Sequence, residues 1–390
     1  MGEDFLMYMI QNFQLKTRII FGSQSLRELP VEGMYFGPKV MVVSGKQALI
    51  NNGMIQKVET LLRGSGFQII PFYEVEPEPS LETVARGMQA ARDSDVDWVV
   101  GIGGGSAMDA AKVIAGLIRS DHDLPYYFQG GRLLQPGVPL VTIPTTAGSG
   151  AEVTLNAVLT DRETKVKKSI RDPLLAATLT IVDPELTLTL PTAVTVNSGM
   201  DALVQAIEAY TSKGATPLTD VYALSAIERI ANNIYKVHQD GQDLQARTEM
   251  AMGSLMAGIA LSVARLGAVH GMAHSIGVIG GKSHGLICAV LLVPVMRFNL
   301  AVSYEKYSEI ARALGLKIIA GDAIDAGAAG MKFIMTLERK LGIFEHITDL
   351  GITEADFPAI ITESLNSGSM KANPREVKAE DLMNILHEST

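Results

Sequence analysis

Histidine is scarce in this chain, with seven among 390 residues, yet His270, His274 and His284 all fall in the window Leu266–His284. Imidazole binds transition metals and exchanges protons near neutral pH, so the cluster points first to chemistry. His270 and His274 are spaced i,i+4 and share a helix face, while His284 opens a later helical pattern. Upstream, Asp201 and Gln205 have the same spacing. An aspartate and several histidines on packed helices can make a divalent-metal site of mixed oxygen and nitrogen donors. Singly, each has a plainer reading: a buried histidine is usually hydrogen-bonded core, and Asp201 could cap its helix. Three histidines in one window, each beside glycine, alanine or another small residue, are harder to explain as packing.

Two further stretches could hold phosphate. Gly101-Ile102-Gly103-Gly104-Gly105-Ser106 joins a strand to a helix, and Asp109 follows three residues later. Glycines there let a phosphate approach the backbone, and the helix start offers free N–H groups and a positive dipole end. A tight turn with Ser106 and Asp109 as a capping pair is the competing reading. The third glycine of the usual dinucleotide fingerprint is missing, because Ser106 stands there. The second stretch, Pro144-Thr145-Thr146-Ala147-Gly148-Ser149-Gly150, also follows a strand. Two such loops at the carboxyl ends of neighbouring parallel strands imply one crevice, and together they favour a dinucleotide.

The elements that must position these groups fall into two halves. Apolar runs at Arg18–Gly22, Lys39–Ser44, Phe67–Val75, Trp98–Gly103, Leu140–Pro144 and Ala177–Asp183 read as strands. Pro71 pushes the third of them toward a sheet edge. Helical patterns lie between, at Ala48–Leu62, from the N-cap candidate Ser80 to Arg92, and at Ser106–Ile118. Near-continuous apolar strands alternating with helices predict a parallel sheet covered on both faces. Beyond Ala177–Asp183 the pattern is helical almost throughout: Leu218–Val237, Asp243–Ala264, Ala268–Gly277, His284–Leu300 and Ala323–Leu341. We therefore expect an α/β dinucleotide-binding domain over residues 1–190 and an all-α metal-binding domain over residues 191–390.

A net charge of −9 argues against a nucleic-acid partner, whose phosphates call for a basic surface. No membrane segment is expected: Met250–Ala264 is uncharged but shorter than the roughly 20 residues a bilayer needs. It reads as a buried helix in a tight bundle. Glu3 and Asp4 stand where a signal peptide needs positive charge, and Leu6 stands where myristoylation needs serine or threonine. The single cysteine, Cys288, rules out an intrachain disulfide and fits a reducing cytoplasm. In the apolar run LICAVLLV it reads as inert core.

The sequence resembles the iron-containing (group III) alcohol dehydrogenase family along most of its length. The blocks that carry the resemblance are VEPEPSLETV (75–84), GGGSAMDAAK (103–112), IPTTAGSGAEVT (143–154), TIVDPELT (180–187), GMDALVQAIEAY (199–210), HGMAHSIG (270–277) and HGLICAVLLVPVMRFN (284–299). The resemblance implies a dehydroquinate synthase-like fold, with the active site in the cleft between an α/β nucleotide domain and a helical domain. It places Gly104, Gly105 and Ser106 on the cofactor pyrophosphate, Asp109 near the nicotinamide, and Thr145, Thr146 and Ser149 along the dinucleotide. Family metal ligands are one aspartate and three histidines; Asp201, His270 and His284 match three of them. His274 matches a non-ligand histidine near substrate and nicotinamide, and is the candidate proton relay because imidazole titrates near working pH. Lys167 or Lys168 lies in a region that contacts cofactor in relatives, but surface lysine is the preferred reading.

Two positions depart from the family pattern. The usual block D-A-x-x-H-A-I-E here reads Asp201-Ala-Leu-Val-Gln205-Ala-Ile-Glu. Gln205 could coordinate through its carbonyl oxygen, the site could keep three protein ligands as in related glycerol dehydrogenases, or the metal could be lost. The expectation is a divalent metal that still binds, more weakly, with iron(II) favoured and zinc(II) possible. At the end of the second strand, where NAD-preferring members carry an acid that meets the adenosine ribose, this chain has Gly45 followed by Lys46. Loss of that charge favours NADP(H) over NAD(H). The expected activity is reversible hydride transfer between a small alcohol or aldehyde and NAD(P), in a homodimer or larger homo-oligomer. Dehydroquinate-synthase- or glycerol-dehydrogenase-like chemistry, or a cofactor-binding homologue with an impaired metal site, are the alternatives.

Overall fold

The computed structural model describes residues 13–164, 166–318, 323–343 and 346–390. The expectations on Glu3, Asp4 and Leu6 lie outside the described residues. Among the described residues eight strands form: β1 Arg18–Phe21, β2 Lys39–Gly45, β3 Gln68–Val75, β4 Trp98–Gly103, β5 Leu140–Pro144, β6 Asn156–Asp161, β7 Val166–Arg171 and β8 Leu179–Val182. Six of them make one sheet in the order β1-β8-β5-β4-β2-β3, and every pairing in it is parallel. Helices α1 Leu29–Gly33, α2 Ala48–Asn51, α3 Met54–Gly64, α4 Leu81–Asp93, α5 Gly105–Leu117 and α6 Leu124–Phe128 accompany this half. Apolar clusters lie on both faces of the sheet, one including Met41, Val99 and Val113, the other Val40, Val100 and Ile181. Burial on both sides is why β4 is apolar along its whole length.

Pro71 lies in β3, which pairs only with β2 and so forms the sheet edge, where a missing N–H costs no ladder bond. Ser80 caps α4 by accepting from the Thr83 N–H. The expected single helix Ala48–Leu62 is instead two helices, separated at Asn52 and Gly53. The antiparallel hairpin β6–β7 was not expected. Its inward residues are few (Ala157, Leu159 and Ile170), so its strands lack the long apolar runs that marked the main sheet.

The strand order explains the position of the glycine-rich loop. From β2 the chain adds β3 outward, then returns to place β4 on the other side of β2 and continues through β5 to β8. The direction therefore reverses between β2 and β4, and ligands of open α/β sheets bind outside the carboxyl ends at such a point. Gly45 ends β2 and Gly103 ends β4.

The rest is helical: α7 Thr192–Thr211, α8 Pro217–Gln239, α9 Leu244–Ala264, α10 Ala268–Gly280, α11 His284–Ala313, α12 Ala323–Lys340, α13 Phe357–Asn366 and α14 Ala379–Glu388. From Gly199 to Thr211, α7 is buried on every side, against α8, α9 and α11. Its near-uniform apolar character is that of a central helix. Met250–Ala264 forms most of α9 and is largely buried, as expected. Among the described residues α11 by itself is long and apolar enough to cross a membrane, but most of that stretch is packed inside the protein. The chain bends by 103° between α9 and α10, through Arg265 at φ +66.

The halves meet at the second glycine-bearing loop. Gly150 has φ +60, and a Cβ there would lie 2.4 Å from Cα of Gly258 in α9. A Cβ on Gly148 would lie 2.7 Å from Cβ of Ser198 in α7. These glycines allow two backbones to touch.

Within the α/β half, Lys112 is fully buried and ties α5 to the hairpin. Its Nζ donates to Asn156 O at 2.7 Å and Thr154 Oγ1 at 2.8 Å, and lies 3.3 Å from Asp109 Oδ1. Replacing Lys112 with methionine leaves the Asp109 carboxylate buried without its cation, and about 3–5 kcal/mol of stability should be lost in chemical denaturation. A loss below about 1 kcal/mol would show that the pair contributes little beyond packing.

Candidate active site

The site is assembled from three helices. On α7, Asp201, Gln205 and Glu208 lie at i, i+4 and i+7, on one face of a buried helix, each less than a tenth exposed. The bend after α9 directs α10 so that His270 meets this face. The start of α11 brings His284 and, four residues on, Cys288. That approach needs Gly285, since a Cβ there would lie 1.9 Å from Asn197 O.

One donor atom each from Asp201, His270, His284 and Cys288 lie within 4.8 Å of one another. Asp201 Oδ1 is 3.3 Å from His270 Nε2 and 3.9 Å from His284 Nε2. Cys288 Sγ is 3.8 Å from His270 Nε2 and 3.6 Å from His284 Nε2. Cys288 is fully buried in the core, as expected, and its sulfur also sits among potential metal donors. Its position i+4 from His284 was the readable signal.

Gln205 donates from Nε2 to Asp201 Oδ2 at 3.0 Å, while its Oε1 is buried without a partner. The orientation is physically sound, since the opposite one would set two oxygens against each other. Asp201 Oδ1 and His284 Nδ1 are likewise buried and unpartnered. An unsatisfied buried acceptor costs about 1–3 kcal/mol, and a cation facing Asp201 Oδ1 removes that penalty. Carboxylate, imidazole and thiol donors facing one point fit a divalent transition metal.

Glu208, which the sequence reading did not single out, braces the site. Its Oε2 lies 2.7 Å from His270 Nδ1, and its Oε1 accepts from the Val269 N–H at 2.7 Å. A carboxylate on the outer nitrogen fixes the ring's orientation so that Nε2 faces the donor cluster. The i+7 spacing from Asp201 could have revealed it.

Charge sets the histidines apart. Burial disfavours a charged His270, yet Cys288, Asp201 and Glu208 hold it well above the ordinary imidazole range. Burial, then the neighbouring rings of His274 and His270 and the charge of Lys167, push His284 well below that range. Burial, Lys167 and His270 push His274 down to about 3. This corrects the expectation that His274 titrates near working pH; it stays neutral there, with one acceptor nitrogen and one N–H. Its ring centroid is 5.2 Å from that of His284, and its Nδ1 is buried without a partner.

Lys167 is also corrected from surface lysine: its side chain is 8% exposed and its Nζ pairs with Glu78 Oε1 at 2.6 Å. Lys168 is exposed. Nothing local in the sequence links Glu78 to Lys167, 89 residues apart.

The two glycine-bearing loops face each other. Gly104 precedes α5 and Gly105 opens it, and a Cβ on Gly105 would come within 2.8 Å of Ser149 Oγ. A Cβ on Gly104 would lie 3.5 Å from Thr146 Oγ1. Thr145 is buried, and its N–H donates to Gly103 O at 2.9 Å. Ser106 Oγ accepts from the Glu78 N–H. Asp109 is turned into the protein: Oδ2 accepts from the Val158 N–H at 2.9 Å and Oδ1 faces Lys112. Gly148 packs on Ser198, one helical turn before Asp201, so the loop crevice and the donor cluster adjoin.

Known proteins are similar to this chain along most of its length. Residues 16–184 match the family described as iron-containing alcohol dehydrogenase, and residues 195–390 match the C-terminal part of the Fe-containing alcohol dehydrogenase family. The chain is 38% identical over 362 residues to a 1,3-propanediol dehydrogenase of Klebsiella pneumoniae, spanning 90% of this chain and 94% of that protein. It is 33% identical over 379 residues to an NAD-dependent methanol dehydrogenase of Bacillus methanolicus, spanning 96% and 98%. A crystal structure of a 1,3-propanediol oxidoreductase superposes with a TM-score of 0.95 at 36% identity, covering 98% of this chain and all of that one. With both halves matched and the donor cluster in place at their junction, the chain belongs to the iron-containing alcohol dehydrogenase family.

Proposed function

We propose that the protein interconverts small alcohols and their aldehydes or ketones with a nicotinamide dinucleotide, at a divalent metal held by Asp201, His270 and His284. The observation that carries this reading is the convergence of those donor atoms beside the crevice between the two glycine-bearing loops. When bound, the cation supplies Lewis acidity to the substrate oxygen, and the dinucleotide takes up or returns the hydride. Iron(II), the ion of the family's name, and zinc(II) both suit carboxylate and imidazole donors.

The chain's own residues do the rest. Gly104, Gly105 and the free N–H groups at the start of α5 offer an anion site for the pyrophosphate. Thr146 and Ser149 line the facing loop. Asp109, held by Lys112 and the Val158 N–H, fixes that end of α5 against the hairpin. Gln205 orients the Asp201 carboxylate, and Glu208 orients His270. His274, neutral at working pH, presents one N–H and one acceptor nitrogen, so it can pass a proton by accepting at one nitrogen as it donates from the other.

The cofactor preference rests on Gly45. A Cβ there would lie 3.5 Å from Val75 O, an ordinary contact, and its φ is not positive. Glycine is thus not required by the backbone, and the missing acid is a choice of chemistry that favours NADP(H). The related methanol dehydrogenase is named as NAD-dependent, so the preference is a property to be measured on this chain.

The defining experiment follows NADPH and NADH oxidation with small aliphatic aldehydes and ketones, with added iron(II), zinc(II) or chelator. Turnover that needs metal is expected; cofactor binding without turnover under every condition would instead establish a non-catalytic protein. Wild type should prefer NADPH, and Gly45→Asp should shift the kcat/KM ratio toward NADH about tenfold or more. An unchanged ratio would remove Gly45 from cofactor selection. His274→Ala should lower kcat about 10²-fold or more with metal content unchanged. Full kcat would exclude a proton role.

A further inference from the structure

We propose that Cys288 is a metal ligand in this chain: its sulfur takes the place left by the family's third histidine, and Gln205 serves instead as a positioning residue for Asp201. The inference rests on the reading of Asp201, His270 and His284 as a metal site.

Three observations carry it. First, four of the six donor–donor spacings are close to those of a coordination shell, and all four donor atoms lie within 4.8 Å of one another. Tetrahedral geometry with metal–nitrogen and metal–oxygen bonds of about 2.0–2.1 Å and a metal–sulfur bond of about 2.3 Å sets neighbouring N and O donors about 3.4 Å apart, and N and S donors about 3.6 Å apart. The structure has Asp201 Oδ1 at 3.3 and 3.9 Å from the two imidazole nitrogens, and Cys288 Sγ at 3.8 and 3.6 Å from them.

Second, the buried acceptor Asp201 Oδ1 receives no hydrogen bond, has only the His270 imidazole at ion-pair distance and faces this cluster. Its sister oxygen Oδ2 is taken by the Gln205 amide. Gln205 thereby turns Oδ1 toward the centre, a role that leaves a coordination position for another residue.

Third, a second donor stands where it can offset the departure at Gln205. The stronger donor that is absent from α7 at Gln205 is matched by a donor on α11, one turn after His284 and on the same face. An amide oxygen is a weaker donor to transition metals than a thiolate, and the thiol binds as thiolate with release of its proton to solvent. One soft sulfur in the set moves the site's preference toward zinc(II) and away from the harder cations.

The test is zinc K-edge X-ray absorption on full-length protein loaded with zinc(II), joined to the absorption spectrum of the cobalt(II) form. One sulfur scatterer at about 2.3 Å is expected, with a near-ultraviolet thiolate-to-cobalt charge-transfer band. The chain has one cysteine, so the source of a thiolate signal is unambiguous. In Cys288→Ser both signals should vanish, and the zinc dissociation constant should rise by at least about tenfold. In Gln205→Ala the sulfur signals should persist. A bound metal with only nitrogen and oxygen neighbours in wild type would overturn the role of Cys288 while leaving the metal site standing. Failure of wild type to bind zinc(II), cobalt(II) or iron(II) would overturn both.

Discussion

The site depends on a carboxylate placed inside a helix that has no solvent-facing side. From Gly199 onward α7 is surrounded by other helices, and in that setting Asp201 cannot be satisfied by water. Its two oxygens must be met by protein or ligand. The structure answers for one, through the Gln205 amide, and leaves the other facing two imidazoles and a thiol. Everything around it follows from that demand. Glu208 turns His270 inward, Gly285 lets α11 close in, and the bend at Arg265 lays α10 across the same face.

The sheet supplies the complementary constraint. Reversal of strand order between β2 and β4 opens a crevice at their carboxyl ends, and the glycine-rich turn into α5 lies there by topology. The loop Pro144–Gly150 leaves β5 beside it, and its glycines lie against α7 and α9. This loop therefore serves two purposes. It faces the first loop through Thr146 and Ser149, and it seats the helical half at the height of Asp201.

Much of this was legible in the sequence. The six main strands announced themselves because burial on both faces demands continuous apolar runs. The long helices showed their periodicity, and Ser80 marked a cap. The hairpin β6–β7 did not show, since one thinly buried face carries little pattern. At the site, residue type and spacing marked Asp201, Gln205 and the three histidines, and the family resemblance separated His270 and His284 from His274. Glu208 was not singled out and Cys288 read as core alone, though both stand at helical spacing from a candidate donor and share its face. The buried character of Lys167 was beyond reach, because it arises from a partner distant in the chain. The neutrality of His274 was similarly hidden, since enclosure and nearby cations set it rather than its neighbours in sequence.

The contact between Gly150 and Gly258 has a mechanical meaning. Two backbones touch there with no side chains between them. The contact works as a spacer of zero thickness: any side chain at either glycine would push the loop at Ser149 away from α9 and, through the neighbouring contact of Gly148 with Ser198, away from the turn of α7 that carries Asp201.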